Sequence, residues 1–229
     1  MPLCTECRKP IQDVVAIDID GTLGDYHSHF LDFAEGYLGE PMSFDYQGSG
    51  SFRAWFCNTH HVSEDTWRDI KLAYRQGGMK RTMPVFPFAR QLCDNIKCWG
   101  AELWLTTTRP AFRFDNIDPD TREWLRRNDI PYDYLIYDGD KYDKLFALVG
   151  EHRVVAVLDD LQFEIRNAVQ LFGPDVPILR YNSYNSKMGY RHYARNLKDA
   201  NEMIKERIAG EDRGYPGSSE DHTGESVGT

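Results

Sequence analysis

Apolar segments of strand length alternate with helical patterns along most of this 229-residue chain. The strand-like segments are 14–19, 102–107, 134–137, 154–158 and 176–181. Helical patterns occupy 87–97, 120–128, 141–149, 163–171 and 187–208. Strands that alternate with helices form right-handed crossovers, and the parallel sheet that results is covered on both faces. The sequence therefore predicts an α/β fold with a doubly wound, Rossmann-like parallel sheet of about five strands.

One long segment interrupts the alternation directly after the first strand. Residues 24–85 show helical periodicity at 30–37, 51–56 and 64–76, but no strand pattern. An insertion at this position predicts a helical cap over one edge of the sheet. The expected divisions are an N-terminal segment (1–12), an α/β core (13–23 and 86–209), a helical cap (24–85) and a disordered acidic tail (210–229).

Acidic side chains follow two of the apolar strands at the point where each strand ends. Asp18 and Asp20 end the first strand, and Asp159 and Asp160 end the fourth. Ligands of open parallel sheets bind at the carboxyl ends of the strands, so we expect these acids at one crevice. Buried unpaired carboxylates are costly, and a hard cation with oxygen ligands, such as Mg²⁺, would offset their repulsion.

Hydroxyl and cationic side chains are predicted at the same crevice. The second strand ends in Thr106, Thr107, Thr108 and Arg109, and Lys144 lies on the helix before the fourth strand. Hydroxyls and cations beside the oxygen ligands of a metal indicate that the bound group is a phosphate.

The order of these motifs resembles that of the haloacid dehalogenase superfamily of phosphohydrolases. The matching elements are DIDGTL at 18–23, TTTR at 106–109, a lysine, and LDD at 158–160. The resemblance covers about residues 13–182 and implies a Mg²⁺-dependent phosphatase. It implies that Asp18 is the nucleophile, which forms an aspartyl-phosphate, and that Asp20 is the general acid and base.

The same resemblance implies residues that bind the phosphate. Thr107 and Lys144 would contact the transferring phosphoryl group, and Thr108 lies beside them. Two of these assignments have alternatives in the sequence, which are Thr106 for Thr107 and Lys141 for Lys144.

The resemblance also implies a set of metal ligands. Mg²⁺ would be bound by Asp18, by the backbone carbonyl of Asp20 and by Asp159. Asp160 would be either an outer ligand or a support for the lysine.

Two narrower resemblances concern the substrate. The helical cap resembles that of the 5′(3′)-deoxyribonucleotidases, whereas residues 108–110 and 120–125 resemble the phosphatase domains of polynucleotide kinases. The leading hypothesis is a 5′-nucleotidase that acts on (deoxy)nucleoside monophosphates. The alternatives are a polynucleotide 3′-phosphatase that processes nucleic-acid ends, and a module that binds phosphate without turnover.

Aromatic side chains of the cap and one arginine are candidates for substrate binding. Phe52, Trp55 and Phe56 either stack on a base or pack inside the cap. Arg109 either reaches the substrate or forms an ion pair with a neighbouring Asp.

A basic cluster lies in the second half of the predicted cap. Its members are Arg68, Lys71, Arg75, Lys80 and Arg81. Because Glu64, Asp65 and Asp69 are interleaved with them, a solvated helix face is the commoner interpretation. The other interpretation is a site for a phosphate or a nucleic-acid backbone, whose affinity would fall steeply with salt.

The five cysteines bear on the compartment and on a second metal. An odd number at low density favours reduced thiols and a cytoplasmic location. Cys4 and Cys7 form a C-x₂-C pair, and Cys93 and Cys98 precede the second strand. The resemblance to the haloacid dehalogenase superfamily implies that the first and second strands are neighbours, with their starts side by side. A structural Zn²⁺ site that joins these four sulfurs is one interpretation. The other is two exposed N-terminal thiols and two buried helix cysteines.

Charge and hydropathy limit the partners. The net charge of −9 argues against non-specific coating of nucleic acid. The sequence contains no apolar run of about 18 residues and no apolar segment of a secretory signal near residue 1, so we expect no membrane partner. A small-molecule nucleotide is the expected partner, with a nucleic-acid end as the alternative.

Overall fold

The computed structural model describes residues 12–48, 51–150 and 153–210, which form six strands and eight α-helices. The strands are β1 (Val14–Asp18), β2 (Glu102–Thr107), β3 (Tyr134–Tyr137), β4 (Val154–Asp159), β5 (Pro177–Arg180) and β6 (Tyr193–Ala194). The helices are α1 (Tyr26–Leu38), α2 (Phe52–Thr59), α3 (Glu64–Gln76), α4 (Ala89–Cys98), α5 (Ile117–Arg127), α6 (Lys141–Val149), α7 (Gln162–Phe172) and α8 (Leu197–Ala209). Two 3₁₀ turns lie at Met79–Arg81 and Ser183–Asn185.

The six described strands form one sheet in the order β3-β2-β1-β4-β5-β6, and every neighbouring pair is parallel. This confirms the predicted doubly wound α/β fold. The sheet has one strand more than expected, because β6 has only two residues and is too short to show a period in the sequence. Since β1 lies between β2 and β4, the three strand ends that carry the predicted site residues are adjacent.

The two faces of the sheet are covered by different helices. On β1, Val15 and Ile17 pack into an apolar cluster with α4, α5 and α8, whereas Val14 and Ala16 pack into a second cluster with α6 and α7. Every residue of β1 is buried, as expected for a central strand that is covered on both faces.

The helical cap lies between β1 and β2 and has an apolar cluster of its own. This cluster includes Phe30, Phe56 and Trp67, and it joins α1, α2 and α3. The two connections to the sheet run side by side, since the Asp25 N–H donates to the Pro84 carbonyl at 2.8 Å and the Phe86 N–H donates to the Leu23 carbonyl at 2.8 Å. The cap therefore joins the core through two paired segments.

The last helix begins later than the sequence pattern predicts. Helix α8 starts at Leu197 rather than at 187, because the Asn196 side chain accepts hydrogen bonds from the N–H groups of Lys198 and Asp199 and caps the helix there. The predicted N-terminal segment and acidic tail lie almost wholly outside the described residues. None of the described helices has the length and apolarity needed to cross a membrane.

Candidate active site

The turn after β1 brings the first acidic motif against the end of β4. Gly21 has a φ of 95°, and a Cβ atom at this position would lie 2.3 Å from Asp160 Oδ2. A side chain here would therefore meet both backbone strain and a steric clash. The glycine therefore allows the turn after β1 to lie against Asp160.

Three buried carboxylates meet at the ends of β1 and β4. One carboxylate oxygen from each of Asp18, Asp159 and Asp160 lies within 4.8 Å of the other two. All three side chains are buried, and a buried cluster of like charges is unfavourable unless a cation joins it. The oxygen donors and the excess of negative charge fit Mg²⁺.

Lys141 is the lysine that lies in this cluster. Its ammonium group is 2.5 Å from Asp18 Oδ1 and 2.7 Å from Asp159 Oδ2, and the side chain is buried. The Lys144 side chain is 40% exposed and pairs with Asp138 at 3.2 Å, so this geometry favours Lys141, the alternative that the sequence left open. Lys141 is the first residue of α6, next to the strand ends, whereas Lys144 lies almost one turn further along.

The charged groups of the cluster change one another's pKa values. Burial raises the pKa of Asp18 to about 7; the Lys141 ammonium opposes this shift and the Asp159 carboxylate adds to it. Burial also raises the pKa of Asp160 well above its usual range. Burial alone would lower the pKa of Lys141, but Asp159 and Asp18 raise it overall. One ammonium group does not compensate three carboxylates.

The Asp20 carboxylate is paired with two cations. Arg109 donates to Oδ1 from Nη2 at 2.6 Å, and Lys80 donates to Oδ2 at 2.6 Å. Although burial opposes it, Arg109 and Lys80 together hold the pKa of Asp20 well below its usual range. Arg109 thus forms the ion pair that was one of its two predicted roles. The Asp20 side chain is 22% exposed, compared with 7% for Asp18.

The threonines at the end of β2 differ in their partners. Thr106 lies opposite Asp18 in the strand register, and its buried hydroxyl bonds no other described residue. The Thr107 hydroxyl accepts the Arg109 N–H at 3.3 Å. Thr108 is exposed. Thr106 and Thr107 remain alternatives for the phosphate-binding hydroxyl.

Comparison with known proteins shows the fold. No family model and no curated protein sequence matches the chain. Among solved structures, a haloacid dehalogenase-like hydrolase from Streptococcus pneumoniae is 14% identical, with a TM-score of 0.58 over 82% of this chain and 96% of the other. A hydrolase of subfamily IA of the same superfamily, from Geobacter sulfurreducens, is 16% identical, with a TM-score of 0.56 over 85% and 97%. The chain has the haloacid dehalogenase fold.

A third structure with this fold was solved with a ligand. CbbY from Rhodobacter sphaeroides, in complex with xylulose-(1,5)bisphosphate, is 15% identical, with a TM-score of 0.52 over 81% of this chain and 95% of CbbY.

The three aromatic residues predicted to bind substrate have different positions on this haloacid dehalogenase fold. Phe52 lines a crevice of about 450 Å³ between cap and core, which Asp160 also borders. Trp55 stacks on Phe52 with its ring centroid 5.4 Å away and donates to Asp45. Phe56 is fully buried in the aromatic cluster of the cap, which is the packing role that the sequence left open for it.

Several supporting residues were missed in the sequence. The Tyr142 hydroxyl donates to Asp159 Oδ2 at 2.6 Å, the Thr22 hydroxyl donates to Asp160 Oδ1 at 3.1 Å, and the Tyr184 hydroxyl donates to Asp160 Oδ2. Thr22 belongs to the first motif and was within reach of sequence reasoning. Tyr184 lies in the connection after β5, where the sequence has no motif.

The predicted zinc site is only partly covered by the described residues. Cys4 and Cys7 lie outside them, so the site stays a prediction. Cys93 is buried in the apolar core, where burial raises the pKa of its thiol, whereas Cys98 is exposed at the end of α4. Their placement on different sides of α4 counts against one site that uses both.

Proposed function

We propose that the chain is a Mg²⁺-dependent phosphatase that hydrolyses phosphomonoesters through an aspartyl-phosphate on Asp18. The observation that carries the proposal is the buried cluster of Asp18, Asp159 and Asp160 with the Lys141 ammonium 2.5 Å from Asp18. Such a cluster costs stability and is expected where it performs chemistry.

The proposed reaction uses these residues in two steps. An Asp18 carboxylate oxygen attacks phosphorus, the bond to the leaving oxygen breaks, and Asp20 gives that oxygen a proton. Because Arg109 and Lys80 lower the pKa of Asp20, this step requires substrate binding to weaken at least one of these two ion pairs, so that Asp20 carries a proton. Asp20 then takes a proton from water, whose oxygen attacks the aspartyl-phosphate; inorganic phosphate leaves and Asp18 is regenerated. Asp18, the backbone carbonyl of Asp20 and Asp159 would hold Mg²⁺, which would supply positive charge for the phosphoryl oxygens.

The remaining polar groups bind and orient the phosphoryl group. Lys141 and the hydroxyl of Thr107 or Thr106 stabilise its oxygens as charge builds on them. Asp160 lies beside the proposed metal ligands Asp18 and Asp159, and the hydrogen bonds that it accepts from Thr22 and Tyr184 fix its position there. Asp20 is more exposed than Asp18, which suits a group that exchanges protons with a leaving group and with water.

We propose (deoxy)nucleoside monophosphates as the substrate class, in the manner of a 5′-nucleotidase. The support is the crevice beside Asp160, because Phe52, Tyr46 and Tyr184 give it aromatic walls on which a base can stack. The sugar bisphosphate bound by CbbY is likewise a small phosphorylated molecule.

A nucleic-acid 3′-end is the second candidate substrate, and the rim of the same crevice favours it. Phe163 is 61% exposed there, and Arg166 and Lys187 are exposed beside it. Exposed aromatic and cationic side chains suit the bases and phosphates of a strand.

The test is phosphate release in Mg²⁺ from nucleoside monophosphates and from a 3′-phosphorylated oligonucleotide. Release mainly from monophosphates supports the nucleotidase proposal. Release mainly from the oligonucleotide, with kcat/KM falling steeply as salt increases, supports end processing. Absence of release from both, and from a general aryl phosphate, would contradict the phosphatase proposal.

A further inference from the structure

The cap has a lysine that is packed among aromatic rings without a carboxylate partner in the described part of the chain. The Lys71 ammonium lies 4.9 Å from the Phe30 ring centroid and 5.5 Å from that of Trp67, and it donates to the Tyr26 hydroxyl. Aromatic faces attract cations, but a carboxylate compensates lost hydration far better. The neighbouring exposed Arg68, in contrast, pairs with both Glu64 and Asp65.

A second ammonium group lies against the same tyrosine. Lys71 and Lys80 are 4.7 Å and 4.3 Å from the Tyr26 ring centroid, so the two ammonium groups are no more than about 9 Å apart. Burial lowers the pKa of Lys71 well below its usual range, and the charges of Lys80 and Arg75 lower it further. The arrangement is therefore unfavourable without an added anion.

The nearby carboxylate does not supply that anion. Asp20 already accepts hydrogen bonds from Lys80 and Arg109. Lys71 and Arg75 lie one helical turn apart on α3, and no carboxylate pairs with either among the described residues. Lys80 and Arg109 thus already pair with Asp20, whereas Lys71 and Arg75 have no ion pair among the described residues, in a chain whose net charge is −9.

We infer that Lys71, with Arg75, binds a second anionic group of the substrate, a phosphate attached to the leaving group. This inference rests on the proposed function, in which Asp20 protonates the leaving oxygen. Lys80 contacts both Asp20 and the Tyr26 ring, so the leaving group at Asp20 lies close to this part of the cap. The phosphate is either a second monoester, as in a nucleoside bisphosphate, or the phosphodiester next to a strand end. Tyr26 positions the lysine through its hydroxyl.

The kinetic test compares substrates that differ in one phosphate. Phosphate release is measured from deoxynucleoside 3′- and 5′-monophosphates, the 3′,5′-bisphosphate and a 3′-phosphorylated dinucleotide, with wild type, Lys71→Met and Arg68→Gln. Wild type is expected to prefer a substrate with the second phosphate by about 10- to 100-fold in kcat/KM, the effect of one charge-assisted hydrogen bond. Lys71→Met removes this preference, and the exposed control Arg68→Gln retains it.

The two sources of the phosphate give different patterns. If wild type prefers the bisphosphate but not the dinucleotide, the group bound by Lys71 is a terminal phosphate. If it also prefers the dinucleotide, the bound group is a phosphodiester. Equal kcat/KM values with and without the second phosphate in wild type, or an unchanged preference in Lys71→Met, would overturn the inference.

A binding measurement separates this inference from the proposed catalysis. Titration calorimetry with the 3′,5′-bisphosphate and the 5′-monophosphate uses Asp18→Asn, alone and combined with Lys71→Met. Tighter binding of the bisphosphate that is lost in the double variant supports the subsite even if no substrate is hydrolysed. Equal affinities for the two ligands in Asp18→Asn would overturn it.

Discussion

The Lys141 ammonium lies 2.5 Å from Asp18 Oδ1 and also contacts Asp159, so one buried cation joins the ends of β1 and β4. Lys141 is the first residue of α6, and because this helix begins at the carboxyl end of the sheet, the Lys141 side chain lies in the acidic cluster. This contact is the reason for proposing Lys141, rather than Lys144, as the lysine that acts on a phosphate.

The first prediction separates those two lysines. Lys141→Met should lower kcat/KM by at least about 100-fold, since it removes a cation that stabilises charge on the phosphoryl oxygens. Lys144→Met is the matched control and should stay within about twofold, because its partner Asp138 is partly exposed and the pair is worth little. Circular dichroism confirms folding in both. Loss of activity in Lys144→Met alone would contradict the assignment.

The second prediction concerns the threonines at the end of β2. Thr107→Val should lower kcat by about 100-fold through loss of a hydroxyl donor to the phosphoryl group. Thr106→Val should keep activity and raise the melting temperature, because the buried Thr106 hydroxyl has no partner among the described residues. The reverse pattern of kcat values would assign the phosphate to Thr106.

The third prediction is that Mg²⁺ stabilises the fold. Because it relieves repulsion among the three carboxylates, saturating Mg²⁺ at about 100 times its Kd should raise the melting temperature by about 5–10 °C. The shift should be much smaller in Asp159→Asn, and EDTA should reverse it in wild type. An equal shift in Asp159→Asn would place the ion elsewhere.

The fourth prediction concerns the stability cost of Lys71. Its pKa is lowered by burial and by Lys80 and Arg75, so at neutral pH the charged form destabilises the folded state. Lys71→Met keeps a similar volume without the charge and should raise the melting temperature by a few degrees in thermal unfolding. A clear decrease would show that Lys71 is a structural residue of the cap.

The sequence predicts the fold and the acidic cluster well because both depend on local patterns. Alternating apolar strands give the sheet, and Asp18 and Asp159 are confirmed as neighbours because strand ends meet at one edge. The helical bounds of α3 and α6 agree with the predicted ranges. Each of these features is set by residues close together in the chain.

The features that the sequence does not predict depend on tertiary packing. Lys141 and Lys144 are both polar positions of one helix, and only the orientation of α6 on the sheet selects between them. The basic residues of α3 have the pattern of a solvated face, yet Lys71 lies among aromatic rings that α1 contributes. Tyr184 reaches Asp160 from a loop whose course has no periodic signal.

The central claim is that Asp18 is the nucleophile of a Mg²⁺-dependent phosphatase, and Asp18→Asn tests it most directly. The measurement is phosphate release in Mg²⁺ from the best substrate of the panel, for wild type and for Asp18→Asn of equal helical content. The account predicts release by wild type that EDTA abolishes, and a decrease of at least about 1000-fold in Asp18→Asn. Activity in Asp18→Asn close to that of wild type would contradict it.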